Sequence, residues 1–271
     1  MAGNADALIE GRRIIDLAVE YFPGMPYIPA TPAYQYGLTR EHGDHIMAGG
    51  LSSAADQVLL SLHSGTHIDA FCHYAREGQL FGGQSAQKAQ NKWKGFCAHG
   101  VHEIPPIFRR GVLLDVPRCM GVDRLAPGTE IDAKMLEETR RMAGVDIHPG
   151  DVVLFRTGEI QLWPSQDYYD PGRGGIPGLN LDGAIWMSDH KAYLVGSDNY
   201  PIEHIAMPKN GKRAGSMPVH GHLLVDNGIY LIEVMNLEEL AGGRHYEFMF
   251  VAVPLKLRGA TGSPVRPIAL V

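Results

Sequence analysis

The sequence predicts a mixed α/β fold, on three observations. Short apolar and β-branched runs outnumber the segments with helical periodicity. The few helical stretches fall between those runs rather than in a block of their own. No repeat, long linker or low-complexity tract interrupts the chain, so its 271 residues read as one domain, 1–271.

Taken in order, Arg13–Ala18 reads as an early strand and Val58–Leu62 as a buried one. Val112–Val116 is the next strand. Asp132–Ala143 reads as a helix: Asp132 offers a side-chain cap, Met135, Leu136 and Met142 are apolar positions, and Gly144 stops it. Pro149-Gly150-Asp151 turns into a strand over Val152–Arg156. Asp182 caps a second helix carrying Ile185 and Trp186, and Ala192–Gly196 follows as a strand. Ile229–Glu233 and Phe248–Val253 are the late strands, and Gly262-Ser263-Pro264 reads as a turn. Two glycine-rich stretches, 171–178 and 208–215, read as surface loops or as substrate lids. Arg173 in the first could meet an anionic product. Asp198, at the end of a strand, reads as an orienting, structural residue.

Composition excludes several classes. Hydrophobic residues make up 45% of the chain and charged residues 20%, ordinary for a soluble globular protein. The formal net charge of −6 argues against nucleic acid or an anionic membrane as main partner. The three cysteines, Cys72, Cys97 and Cys119, supply no disulfide framework. The N-terminal segment lacks a basic-then-apolar pattern, and no apolar run is long enough to span a bilayer. A cytoplasmic protein is the expectation.

The densest chemistry lies in His63-Ser64-Gly65-Thr66-His67-Ile68-Asp69-Ala70-Phe71-Cys72-His73. Imidazole and carboxylate together are a common ligand set for Zn²⁺ or Mn²⁺. A straight strand from His63 to Asp69 would run roughly 20 Å, too far for ligands that each reach an ion at about 2 Å. A helix would carry Asp69 away from His63 and His67. The segment must therefore be extended and sharply bent. Ser64-Gly65 is the place for the bend, with His67 and Asp69 on one face of a short strand.

Further ligands come from His220-Gly221-His222 and Glu233. The strand ending at Glu233 could return its carboxylate to the same place, and either histidine could supply the late ligand. His73, with an ordinary pKa of about 6.5, suits proton transfer as general acid/base; a third histidine ligand is the other reading. Cys72 beside His73 is a packing residue, since neighbours on a strand face opposite ways. Phe71 and Trp163 could line an aromatic pocket or simply pack.

The motif resembles the signature His-x-Gly-Thr-His-x-Asp-x-Pro-x-His of the cyclase family of metal-dependent hydrolases. That family includes bacterial kynurenine formamidase, isatin hydrolase and lactone hydrolases. His63, Gly65, Thr66, His67, Asp69 and His73 fit, and Phe71 stands where many members have proline. The segments 110–115, 150–158, 195–198, 223–233 and 262–267 resemble family segments in family order. The resemblance implies a swivelling β/β/α fold, with a central barrel-like sheet and peripheral helices. It implies that a histidine upstream of two leucines and a later glutamate complete the metal site. His220 matches by its distance to Leu223-Leu224, and Glu233 by the residues after it. His222 then packs or hydrogen-bonds nearby and, with Phe71 and Trp163, is a candidate for substrate contact. His73 would be general acid/base.

The expected metal set is His63, His67, Asp69, His220 and Glu233, for one or two Zn²⁺ or Mn²⁺ ions. The expected reaction is hydrolysis of a small cyclic amide or lactone. N-formylkynurenine deformylation and a metal-dependent cyclase or lyase reaction are the alternatives, and a metal-binding protein without turnover is a third. The family resemblance implies a homodimer or homotetramer, to which residues 1–10 could contribute an arm.

Overall fold

Among the described residues, nine strands form one mixed sheet. They are β1 (Ile14–Asp16), β2 (His67–Asp69), β3 (Ile107–Asp115), β4 (Val152–Arg156), β5 (Leu194–Ser197), β6 (Tyr230–Glu233), β7 (Glu247–Ala252), β8 (Gly262–Pro264) and β9 (Ile268–Leu270). The computed structural model describes residues 11–207 and 216–271. The expected N-terminal arm, 1–10, and the glycine-rich loop at 208–215 lie outside the described residues. Across the sheet the order is β1-β9-β7-β3-β4-β5-β6-β2-β8. Strands β3 to β6 are parallel neighbours; the flanking pairs are antiparallel.

Parallel neighbours need crossover connections, and the sequence supplies them as helices. Helix α1 (Ala133–Ala143) links β3 to β4, and α2 (Leu181–Asp189) links β4 to β5. A short helical turn, Pro218–His220, continues in π-helical geometry over Gly221–Asp226 before β6. The central stretches of β3 to β6, Val112–Leu114, Val152–Phe155, Leu194–Val195 and Leu231–Ile232, are apolar because both faces are covered there. Val112, Leu114, Val153, Phe155, Val195 and Leu231 pack against Leu136 of α1, Met187 of α2 and Leu223 and Leu224. Their alternate neighbours Leu113, Val152, Leu154, Leu194 and Ile232 face a second core. That core also holds Ile15 of β1 and Ile68 of β2. Strands near opposite ends of the order share one core because the sheet curls around it.

Local signals marked α1 and, less closely, α2, but not the shorter helices Val116–Met120, Pro218–His220 and Glu238–Gly243. The Asp132 side chain accepts from Met135 N at 2.8 Å, and Gly144 ends α1 in the left-handed region at φ +69°. Such a cap contributes about 1 kcal/mol. Helix α2 begins earlier than expected. Asn180, not Asp182, is its cap, accepting from Gly183 N at 2.9 Å. Asp182 lies in the first turn, and its carboxylate accepts from Ala133 N at 3.0 Å, joining the two helix starts.

Two other expectations are corrected. The strand expected at Val58–Leu62 is Ala55–Leu59, and it pairs with Gln35–Arg40 in a separate two-stranded ribbon. Val58 and Leu59 are 53% and 55% exposed: this apolar run never enters the large sheet, so it does not anchor the metal motif from within the core. Gly262-Ser263-Pro264 is not a turn but β8, paired with β2. Its fully buried Ser263 hides the alternation that would mark a strand. No described helix is long and apolar enough to cross a membrane.

Candidate metal centre

The centre is built on the β6–β2 pair. Ile232 and Ile68 are register partners and both are buried in the inner core. Side chains alternate along a strand, so His67, Asp69 and Glu233 point the other way, toward the helical segment that carries His220. His67 and Glu233 are themselves register partners. Just before β2, Gly65 takes φ +56° and bends the chain as expected. The Tyr21 hydroxyl lies 2.8 Å from Ser64 O and 2.6 Å from Thr66 O, bracing the bend. The bend returns His63 so that its Nδ1 sits 2.7 Å from Asp69 Oδ1. On its other side His63 Nε2 meets Thr261 Oγ1 at 2.9 Å.

Four buried side chains converge. His67 Nε2 lies 3.7 Å from Asp69 Oδ1 and 3.5 Å from Glu233 Oε2. His220 Nε2 lies 3.7 Å from Asp69 Oδ2 and 3.3 Å from Glu233 Oε1. The far ring nitrogens are engaged elsewhere. His67 Nδ1 donates to Gly65 O at 2.8 Å, and His220 Nδ1 to Glu203 Oε1 at 2.8 Å. Both rings thus turn Nε2 inward, toward carboxylate oxygens, as metal-ligating histidines do. His67 Nε2 and Asp69 Oδ2 are buried with no hydrogen-bond partner. Orphaned buried polar atoms are costly, and a cation among them would satisfy both.

The donor atoms fall into two overlapping groups, His63–His67–Asp69 and Asp69–His220–Glu233, each with its atoms within 4.8 Å of one another. Asp69 belongs to both, so the set fits two cations sharing one carboxylate, or one cation with the remaining groups around it. Nitrogen and carboxylate donors in this proportion suit Zn²⁺ or Mn²⁺.

The electrostatics agree. Burial opposes ionisation of Asp69, but His73, His63 and His67 outweigh it and hold the carboxyl well below its usual range. Burial keeps His67 neutral, against the partial opposition of Asp69 and Glu233. Burial also opposes charge on His220, yet the carboxylates of Glu203, Glu233 and Asp69 raise it to about 10. His73 stacks on His63, with ring centroids 3.9 Å apart and planes at 18°. Burial, against the pull of Asp69, lowers its pKa to about 3, so its imidazole is neutral at pH 7. It belongs to neither donor group and lies beside them.

Residues 15–204 match the putative cyclase family. The chain belongs to this family. A kynurenine formamidase of Bacillus cereus is 24% identical over 241 residues, 87% of this chain and 86% of that protein. A crystal structure described as a novel cyclase superposes with a TM-score of 0.85 at 28% identity, covering 98% of this chain and 90% of that one. Isatin hydrolase A from Ralstonia solanacearum shares the fold, with a TM-score of 0.71 at 20% identity over 98% of this chain and 95% of that one.

The cyclase motif brings His63, His67 and Asp69 together, and the fold adds His220 and Glu233. The remaining candidates lie elsewhere. His222 turns away from the cluster: its Nε2 meets Ser188 Oγ at 2.8 Å and Asn227 Nδ2 at 3.2 Å. The helical geometry of 218–226 separates it from His220, where an extended segment would have put both on one face. Phe71 stacks on Tyr230 at 4.1 Å and 7°. Trp163 packs edge-on against Tyr168 and Tyr169; Tyr169 in turn meets Tyr200, whose ring is 6.2 Å from that of His67. Arg173 is ion-paired with buried Glu159, which occupies the guanidinium that could have met an anion. Cys72 is buried, its thiol pushed up to about 12 by burial. Asp198 accepts from Thr157 N, Thr157 Oγ1 and Gly158 N, each at 2.7 Å, and ties β5 to the end of β4.

Three neighbours of this cyclase-family site were not singled out as site residues, and only Gly262 falls in a family-like segment. Glu203 lies seventeen residues before His220 in the chain. Thr261 and Gly262 reach His63 from nearly two hundred residues away. A lone glutamate, threonine or glycine has no spacing to read.

Proposed function

We propose that the protein is a metal-dependent hydrolase that opens a small cyclic amide or lactone. The observation that carries the metal reading is the buried His67–Asp69–His220–Glu233 cluster, in which His67 Nε2 and Asp69 Oδ2 have no hydrogen-bond partner. Bound there, a divalent cation would lower the pKa of a water toward neutrality and polarise a carbonyl oxygen. His63, His67, Asp69, His220 and Glu233 would hold it. His73, neutral and stacked beside the donor set, would take a proton from the attacking water and pass it to the leaving nitrogen or oxygen. Water adds to the acyl carbon, the ring C–N or C–O bond breaks, and acid and leaving group remain on one product. Phe71, in place of the motif's usual proline, supports ranking a cyclic substrate above a formamide. Deformylation of N-formylkynurenine is the second reading, favoured by the 24% identical kynurenine formamidase.

An assembly of two or four copies belongs to the same proposal. The exposed apolar residues Tyr36, Leu38 and Val58 of the two-stranded ribbon offer surface for it, and light scattering measures its mass.

The experiment is elemental analysis of the purified protein with hydrolysis assays on isatin, a dienelactone and N-formylkynurenine, before and after chelation. Near-stoichiometric zinc or manganese, and one activity lost to chelator and restored by metal, is the expected result. A protein that takes up neither metal overturns the reading.

A further inference from the structure

Glu203 is buried at 1% exposure and lies outside both donor groups. One of its oxygens receives two hydrogen bonds from one residue: Oε1 accepts from His220 N at 2.9 Å and from His220 Nδ1 at 2.8 Å. The backbone bond fixes where the residue sits. The side-chain bond fixes which way the ring faces. A half-turn of the imidazole would set carbon against the carboxylate and withdraw Nε2 from Asp69 and Glu233. Glu203 is itself held by the pairing of its backbone with Leu179. Close packing reinforces this, since a Cβ at Gly178 would come within 2.5 Å of the Glu203 carbonyl carbon. His67 is held differently. Its Nδ1 meets a neutral carbonyl, Gly65 O, whereas His220 meets a carboxylate, the stronger and more basic partner.

We propose that Glu203 is a positioning residue of the metal centre, locking His220 as the Nδ1–H tautomer and aiming its Nε2 at a cation between Asp69 and Glu233. Carboxylate partners behind ligating histidines orient the ring and raise its donor strength. The inference rests on the metal reading above. It assigns Glu203 no contact with substrate.

The test compares wild type, Glu203→Gln and Glu203→Ala for Zn²⁺ affinity, by competition with a chromophoric chelator. Thermal unfolding of each metal-free protein and imidazole ¹⁵N spectra of the zinc-loaded proteins run alongside. Glu203→Ala is expected to weaken Zn²⁺ binding by about ten- to a hundredfold and to lose the uniform His220 tautomer signal. Glu203→Gln keeps an accepting oxygen but loses the negative charge, so its affinity should fall by more than about twofold yet by less than that of Glu203→Ala. It also carries the test if the alanine variant does not fold. Affinity within twofold of wild type in the folded variants overturns the proposal, even if their melting temperatures fall, because the role is then structural only. A wild-type protein that binds neither Zn²⁺ nor Mn²⁺ overturns the metal reading itself, and Glu203 with it.

Discussion

His67 and Glu233 oppose each other across the antiparallel β6–β2 pair, with Nε2 3.5 Å from Oε2. Asp69, two residues along the same strand face, closes the triangle with His220 and is common to both donor groups. The groups therefore differ in what each substitution should remove. Asp69→Asn should lose all bound metal. His220→Ala should lose at most the metal held by its own group, leaving His63, His67 and Asp69 as donors. Metal content per chain, measured after dialysis against a weak chelator, checks this. Full zinc or manganese retention in Asp69→Asn would remove the shared-carboxylate arrangement.

His73 stacks on His63 but contributes no atom to either donor group. Its substitution should separate binding from chemistry. His73→Ala is expected to keep wild-type metal content and to lower kcat by about 10²–10⁴-fold, the usual worth of a general acid/base. KM should change little by comparison. Loss of metal in this variant would instead make His73 a ligand, and unchanged kcat would take it out of the reaction.

The sequence disclosed the parts of this centre that derive from local chain geometry. His63, His67 and Asp69 were readable together because a glycine bend and period-two alternation are local rules, and Gly65 does supply the bend at φ +56°. Helix α1 was readable to its ends from Asp132 and Gly144. The ribbon at Ala55–Leu59 was not: an apolar run looks the same whether it enters a sheet or pairs outside one. Strand β8 was hidden because glycine, serine and proline are turn residues by propensity, and only pairing with β2 makes them a strand. The choice between His220 and His222 depended on whether that segment was extended or helical. Pro218 starts a helical turn there, and only one of the two rings can then face Asp69.

Gly262 shows how tightly that unread strand is fitted. A Cβ there would lie 2.7 Å from His63 Cε1 and 2.9 Å from Ile68 O. The second contact is backbone of β2, which cannot move without shifting His67 and Asp69. Gly262→Ala should therefore weaken metal binding although residue 262 offers no donor, and should cost about 1–3 kcal/mol as an overpacked site. Chelator competition and urea unfolding measure the two effects. Wild-type metal affinity would show that His63 has room to move or is not needed as a ligand.

Far from the centre, on α1, Glu137 accepts from Arg140 Nε and Nη2 and from Arg141 Nε at 2.8–3.0 Å. The hydrogen bond from Arg140 is the largest cause that lowers its pKa from 4.5 to about 2. Proton binding sets the sign. Below pH 4.5 the unfolded chain holds a proton on Glu137 that the folded chain still lacks, so acid favours unfolding. The stabilisation is complete above that value and is lost as pH falls toward 2. These side chains remain partly in water, so solvent screening keeps the contribution below about 1 kcal/mol. Glu137→Gln should thus be less stable than wild type by that small margin at pH 7, with the gap narrowing as pH falls below 4.5 and shrinking in high salt. Urea unfolding of both proteins across that range decides it. A gap that stays constant with pH would mean that packing of the side-chain stem, not its charge, is what Glu137 supplies.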